Sequence, residues 1–591
     1  MKELFLKPLR KLWALIVVPA EAESVKDDTI ESLLSSLSPK RVGWILGLGA
    51  IGFAFLFARL VWLQLGFDTE FLQKQGEMRF QRTFDVPAVR GRILDRNGYV
   101  LAVSVPAKAV WAIPQDVKAT KEQARALAKV LNISTQELER KFSSKRNFVY
   151  IKRQVPVHVA DDVAKLKIPG IHFSREYLRA YPEGEISSQI TGLTGIDGNG
   201  VEGIELAKEK LLAGEIGSRR VIKDRLGRII EDVWIKQPKN GEDINLSIDS
   251  RIQFIAYEAL SRRIKEVNAK AGAVVVADPM TGEILALANY PSFNPNIRAK
   301  IDRSKIRNRA ITDTYEPGST MKPFSVAAGL EEKKVTPSTL FQIGQKLTIG
   351  KRSIGDSHYS KALTVSQIIQ ESSNIGTAKI ALMLTPQTMW KYYNSLGFGK
   401  APDVGFPGAA SGRMRAANRW KPIEQATMSY GHGVTVSLMQ LVRAYTALAR
   451  DGTLVDLSIY QSNGEVEPKR VYSEKTTMQM KQMLESVVDK GAKRAQVEGY
   501  TAAGKTGTSY KVEGGQYVKK YVASFVGYAP AHKPRLVVGV MIDEPQRGKH
   551  FGAVAAAPVF SEVVARSLRV LSVNPDRPSS KDALIGNQKS H

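Results

Sequence analysis

The chain contains no cysteine. That absence removes disulfide frameworks, thiolate zinc sites, iron–sulfur clusters and cysteine nucleophiles together. It assigns no compartment, because an oxidising space tolerates a chain with nothing to oxidise. Histidine is scarce: His158, His172, His358, His432, His532, His550 and His591 are scattered with no pair at i, i+4, so no metal site is expected. Acid is outnumbered, with 58 Asp+Glu against 85 Lys+Arg and a formal charge of +27. Such a surplus suits an anionic neighbour: nucleic acid, a membrane surface or an acidic polymer. The basic residues read as spread along the chain, with no compact Lys/Arg block interleaved with aromatics, so nucleic acid is not expected. What remains is a chain that folds. Its 591 residues are 43% hydrophobic and 24% charged, with room for about three or four domains.

Long apolar runs are also nearly absent. Residues 42–58 carry no charge, lie between Lys40-Arg41 and Arg59, and continue as Leu60-Val61-Trp62-Leu63. At 1.5 Å per residue the uncharged core spans ~26 Å, and its extension to Phe67 covers a ~30 Å hydrocarbon layer. Arg59 would snorkel to the far interface, where Trp62 also belongs. The basic residues before the span put the N-terminus inside. A seven-residue apolar run at 12–18 competes as a signal peptide, but Pro19 interrupts it. Residues 42–65 are therefore expected to be an uncleaved single-pass anchor, with 1–41 cytoplasmic and the remainder outside. Gly47-Leu48-Gly49-Ala50-Ile51-Gly52 fits a dinucleotide fingerprint but lies inside the apolar span with no strand before it. Gly43 and Gly47 form G-x-x-x-G, which suits close helix approach.

Two external domains are expected. Residues 66–237 read as a mixed, elongated pedestal. It contains a hairpin turned by Asn97-Gly98 in type I′ geometry and capping boxes at Thr120…Gln123 and Ser134…Glu137. Pro238 opens a turn-rich joint. Residues 238–571 have strands at both ends (273–277 and 283–288; 521–528 and 535–542) with helices between. An α+β fold follows: an antiparallel sheet flanked by helices, plus a helical subdomain. Polar residues 572–591 read as a disordered tail.

Three short motifs fall in this second domain. Pro317-Gly318 breaks the chain before Ser319-Thr320-Met321-Lys322, which puts serine and lysine one helical turn apart on one face. A serine hydroxyl needs a base, and an amine can serve if burial or neighbouring cations lower its pKa. Ser372-Ser373-Asn374 offers a hydroxyl to relay a proton and a carboxamide to hold an amide. Lys505-Thr506-Gly507-Thr508 offers a cation and two hydroxyls for a carboxylate, with a glycine that lets another backbone approach.

In this order the motifs resemble those of the penicillin-binding serine transpeptidases and serine β-lactamases. Arg90-Gly91-Arg92-Ile93-Leu94-Asp95-Arg96-Asn97-Gly98, the 179–184 segment RAYPEG and the 200–205 segment GVEGIE resemble pedestal motifs of class B penicillin-binding proteins. The 308–314 and 316–323 segments are most similar to the division-specific branch (FtsI, or penicillin-binding protein 3). The resemblance implies Ser319 as acylated nucleophile, Lys322 as its base, Ser372 as proton link and Asn374 as holder of the peptide amide. Lys505, Thr506, Gly507 and Thr508 would form the binding strand, with the backbone N–H groups of Ser319 and Thr508 as oxyanion hole. It implies D-Ala-D-Ala crosslinking of peptidoglycan stem peptides in the septal wall, β-lactams as covalent inhibitors, and no metal or organic cofactor. It also implies an inner-membrane location and a SEDS-type glycan polymerase as membrane partner. The elongation-specific class B enzyme is the alternative, then a β-lactam sensor. A P-loop ATPase ranks last: residues 499–506 fit G-x-x-x-x-G-K-[ST], yet they lack the flanking strand and helix.

Overall fold

The computed structural model describes residues 38–64, 81–223, 229–297, 301–462, 464, 466–546 and 548–577. Most of the expected cytoplasmic segment and the end of the expected tail lie outside the described residues. By contacts the chain forms two units: Met1–Phe84 with Arg219–Trp234, and Asp85–Ser218 with Ile235–His591.

The first unit holds helix α1 (Pro39–Gln64), the one described helix long and apolar enough to cross a membrane. Its side chains are exposed along its length, Trp44 and Phe53 among them. Strand β1 (Gln81–Val86) follows.

The second unit begins with the expected hairpin, β2 (Ile93–Leu94) and β3 (Val100–Ala112), paired antiparallel. Its turn differs from type I′. Gly98 has φ +81° but Asn97 is not at positive φ. The Asp95 carboxylate accepts from Asn97 N and Tyr99 N at 2.8 Å each. An acid at the turn's start thus captures the loop amides and gives a longer loop with only glycine left-handed. Helices α2 (Lys121–Leu131) and α3 (Thr135–Phe142) come next. Thr120 and Gln123 form the full capping box, whereas at α3 only the Ser134 half forms. Strand β4 (Val149–Pro156), helix α4 (Val157–Lys165) and strand β5 (Ile171–Ala180) complete a lobe with its own small core of Val110, Leu127, Leu131, Ile151 and Val163. Strands β6 (Gly217–Lys223) and β7 (Ile229–Lys236) return almost wholly to the first unit, where they form a three-stranded sheet with β1. Strand β8 (Ile244–Asn245) lies beyond the expected joint at Pro238, yet pairs parallel with β2.

The larger, C-terminal half follows as α5 (Ser250–Glu266), β9 (Ala271–Ala277) and β10 (Ile284–Tyr290). Then come α6 (Lys322–Glu331), a hairpin of β11 (Leu340–Ile349) and β12 (Arg352–Thr364), α7 (Val365–Gln370) and α8 (Asn374–Leu382). Helices α9 (Leu438–Ala449) and α10 (Glu474–Ser486) precede β13 (Ala503–Glu513), β14 (Gln516–Ala529), β15 (Leu536–Asp543) and α11 (Ala557–Val570). The five strands order β10-β9-β15-β14-β13, all antiparallel. First and last parts of the domain thus share one sheet, as the strand pattern implies. Residues of β9 and β10 are almost wholly buried, so these strands read as continuous apolar runs with layers on both faces. The pedestal root joins the same core through Ile93, Leu101, Ile190 and Ile204.

The chain stays attached past Leu571. Tyr500 donates its hydroxyl to Val573 O at 2.7 Å, Asp576 accepts from Thr501 N at 2.7 Å, and Arg577 pairs with Asp489 at 3.0 Å. Residues 573–577, polar enough to read as tail, thus serve as a strap over the start of β13.

Candidate active site

Strand β13 lies at the free edge of the five-stranded sheet, and the Ser319 turn packs on it. The turn, Gly318–Met321, is a short 3-10 segment leading into α6, whose first residue is Lys322. Gly318 sits at φ +57°, and a Cβ there would come 3.0 Å from Thr508 O. On its other side Gly431 comes so close that a Cβ would lie 2.3 Å from Gly318 O. Ser319 is therefore clamped between the strand and the 431 loop, itself only half-buried.

Lys322 is fully buried, and Lys505 is 1% exposed. Both amines converge on one hydroxyl. Lys322 Nζ donates to Ser372 Oγ at 3.1 Å and to the Ser372 carbonyl oxygen, and Lys505 Nζ donates to Ser372 Oγ at 3.0 Å. A serine oxygen accepts two hydrogen bonds and donates one. With both acceptor positions filled by the lysines, the Ser372 proton is the group left to point into the cleft. Burial pushes the Lys322 amine well below its usual value, the nearby Lys505 charge pushes further, and Asp356 opposes. Burial lowers Lys505 to about 7. Two cations cannot share this dry space at low cost, so near neutrality the lysine with the lower pKa is the neutral one.

Ser372 holds φ +58°, a sparsely populated conformation for a residue with a Cβ. Asp356 holds the next residues in place. It accepts from Ile375 N at 3.0 Å, from Asn374 N at 2.5 Å and from Ser373 Oγ at 2.5 Å. A carboxylate there caps α8 and complements the helix dipole. The Asn374 carboxamide donates to Gly355 O at 3.1 Å.

Gly507 permits a close approach, but by the protein's own backbone. A Cβ there would lie 2.7 Å from Pro317 O and 2.5 Å from Ser524 Oγ. Thr508 Oγ1 accepts from Gly552 N at 3.0 Å, and Thr506 Oγ1 lies 3.5 Å from Lys505 Nζ. Lys505 stands inside β13, which turns at Gly514-Gly515 into β14. No helix follows this lysine, so the phosphate-loop reading lacks the helix N-terminus it needs.

The three motifs thus meet, although Lys322 and Lys505 are far apart in sequence. The motifs do not announce Asp356, Glu316 and His432. Glu316 accepts from Gly433 N at 2.8 Å and from Tyr517 Oη at 3.0 Å, bracing the turn before Ser319. His432 is lowered by burial against the opposing charge of Glu316. Glu316 stands beside the serine motif and could be suspected. Asp356 is one acid in a polar hairpin, with no local signal.

Comparison with known proteins points to one family. The family model described as "Penicillin binding protein transpeptidase domain" matches residues 272–565, and that described as "Penicillin-binding Protein dimerisation domain" matches 85–246. The probable peptidoglycan D,D-transpeptidase PenA of Neisseria gonorrhoeae is 40% identical over 92% of this chain and 95% of its own. The peptidoglycan D,D-transpeptidase FtsI of Escherichia coli K12 is 38% identical over 92% and 94%. Among solved structures, the transpeptidase domain of Burkholderia pseudomallei penicillin-binding protein 3 is 47% identical and covers 56% of this chain and 98% of its own, with a TM-score of 0.53. A peptidoglycan synthetase from Bifidobacterium adolescentis, 26% identical, covers 85% and 98% with a TM-score of 0.67.

Proposed function

The chain belongs to the penicillin-binding peptidoglycan D,D-transpeptidases, and from that premise we propose how its own residues carry the reaction and where it acts. Ser319 Oγ attacks the carbonyl of the penultimate D-alanine of a stem peptide while neutral Lys322 takes its proton. The N–H groups of Ser319 and Thr508 hold the oxyanion, an arrangement worth about 3–4 kcal/mol in acyl transfer. Ser372 passes a proton to the departing D-alanine nitrogen. Charged Lys505, with Thr506 and Thr508, receives the terminal carboxylate, and Asn374 holds the peptide amide. An amine of a second stem peptide then attacks the ester, and Ser319 recovers its proton. A β-lactam follows the same first step, but its leaving nitrogen stays tethered, so the acyl group remains.

The observation that carries this reading is the convergence of Lys322 and Lys505 on the Ser372 hydroxyl. Incubating the purified protein with a pentapeptide donor and an amine acceptor tests it. D-Alanine release that stops in Ser319→Ala supports the reading; release that persists in that variant overturns it.

The septal role rests on the likeness to FtsI, and depletion of the protein should give filamentous cells. Rounded cells would place it in elongation instead. We place the chain in the inner membrane through α1, with the catalytic domain outside. A Cβ added at Gly43 or Gly47 of α1 would meet no atom within 4 Å, which leaves that face open to a membrane partner such as a SEDS-type polymerase.

A further inference from the structure

The pedestal lobe carries an open row of aromatic rings unconnected with the catalytic cleft. In the β4-β3-β5 part of its sheet, Trp111 stands opposite Tyr150 on one side and His172 on the other. Val110 and Ala112 enter the lobe's core, so strand alternation puts Trp111 on the opposite face. The Trp111 ring lies tilted at 4.9 Å from Phe148 and 4.5 Å from His172, and Phe148 meets Tyr150 edge-on at 4.7 Å. Phe148 and Tyr150 remain 44% and 40% exposed. The Arg153 guanidinium lies 5.0 Å over Tyr150. The row runs into a cleft of about 560 Å³, lined among others by Tyr150, Arg153, Ser174, Glu176 and Asp197.

Contrary to the expected even spread of charge, the sequence around these rings is a compact basic block interleaved with aromatics. From Arg140 to Arg153 stand six basic residues, no acid, and Phe142, Phe148 and Tyr150. Lys145 and Arg146 are exposed. A contiguous exposed aromatic patch with a charged rim marks an interaction surface.

We propose that this face binds the peptidoglycan strand itself, glycan on the rings and stem-peptide carboxylates on Lys145 and Arg146. A pyranose has an apolar C–H face that stacks on a ring and a polar edge that bonds to a rim such as Ser174, Glu176 and Asp197. Stem peptides carry free carboxylates that match the cations. A protein partner would favour a shaped pocket for an anchor side chain; here the rings lie in an open row along the strand register. The proposal rests on the chain being a peptidoglycan transpeptidase, because that supplies the polymer. A second, non-catalytic hold would keep one strand on the enzyme between crosslinks.

The test uses the full chain in detergent, spun down with insoluble sacculi, with labelled-penicillin acylation read on the same samples. The variants are Phe148→Ala with Tyr150→Ala, and separately Lys145→Glu with Arg146→Glu. Each should weaken co-sedimentation by about tenfold while acylation is unchanged. Unchanged co-sedimentation overturns the proposal, and cell division lost in the same variants would then make the face a protein-docking surface. A wild-type chain that binds sacculi through these residues yet takes no penicillin would support the platform and sink the catalytic reading.

Discussion

Two buried lysines on one serine hydroxyl make the site a proton balance. Lys322 must be neutral to take the Ser319 proton, and Lys505 must be charged to receive a carboxylate. The second-order rate of acylation by a carboxylate-bearing β-lactam reports the free enzyme. It should rise with pH as Lys322 loses its proton and fall again as Lys505 loses its own at about 7. Lys505→Ala should remove the upper limb and leave a slower, carboxylate-indifferent reaction; an unchanged profile would deny Lys505 its role. The same lysines burden the fold. Their folded pKa values lie below the unfolded ~10.4, so the unfolded chain binds more protons and stability rises with pH between the two values. Lys322→Met should therefore abolish acylation yet raise the melting temperature, most at neutral and acid pH and not above about pH 10.4. Melting curves at pH 7 and pH 10.5 check the sign. Sequence spacing alone puts Ser319 and Lys322 together, because one helical turn does so in any chain. Their meeting with Ser372 and Lys505 was legible only through the family motif, since no local rule joins residues so distant.

At the scale of elements, the site is a helix start, a loop and an edge strand held by glycines and one acid. Asp356 reaches from the β11–β12 hairpin to cap α8 and fix the Ser372–Asn374 loop. Hydrogen bonds to a charged group contribute about 1.5–3 kcal/mol, so Asp356→Ala should cost about 2 kcal/mol of stability. It should also slow acylation by about tenfold or more as the loop loses its geometry. A full-rate variant would show that the loop holds itself. Gly507→Ala places a Cβ against Pro317 O and Ser524 Oγ. Backbone there cannot yield without moving the Ser319 turn, and overpacking costs about 1–3 kcal/mol. Acylation by the variant should drop while its circular dichroism stays native. The strands at the two ends of the catalytic half were legible from apolar runs, whereas the β11–β12 hairpin was not, because its residues are largely polar and exposed. The Asn97-Gly98 dipeptide misleads because Asp95, two residues earlier, captures the loop amides, and dipeptide identity does not reveal that competition.

Across the whole molecule, the pedestal root and the catalytic domain share a core, and one buried acid ties the root. Glu205 is fully buried and takes Arg90 Nε at 2.5 Å and Arg179 Nε at 2.6 Å. Burial and the Glu205 charge also hold the Tyr181 hydroxyl protonated. Removing the acid leaves the buried Arg179 without its carboxylate, while Arg90 keeps Glu209 at 2.7 Å, a loss of about 3–5 kcal/mol. Glu205→Ala should thus lower the melting temperature more than any surface substitution, which differential scanning calorimetry would show. The order of a long apolar helix, a pedestal domain and a transpeptidase domain was legible from one apolar run and the family motifs. The basic surplus of +27 includes one block, from Arg140 to Arg153, that stands in the sequence itself; only the fold shows that Trp111 and His172 lie beside it.

Mass spectrometry of the full chain after reaction with a labelled penicillin locates the nucleophile. One acyl group should be added, carried by the peptide that contains Ser319 and absent from Ser319→Ala. Label on another residue, or undiminished label in that variant, would contradict the assignment of Ser319.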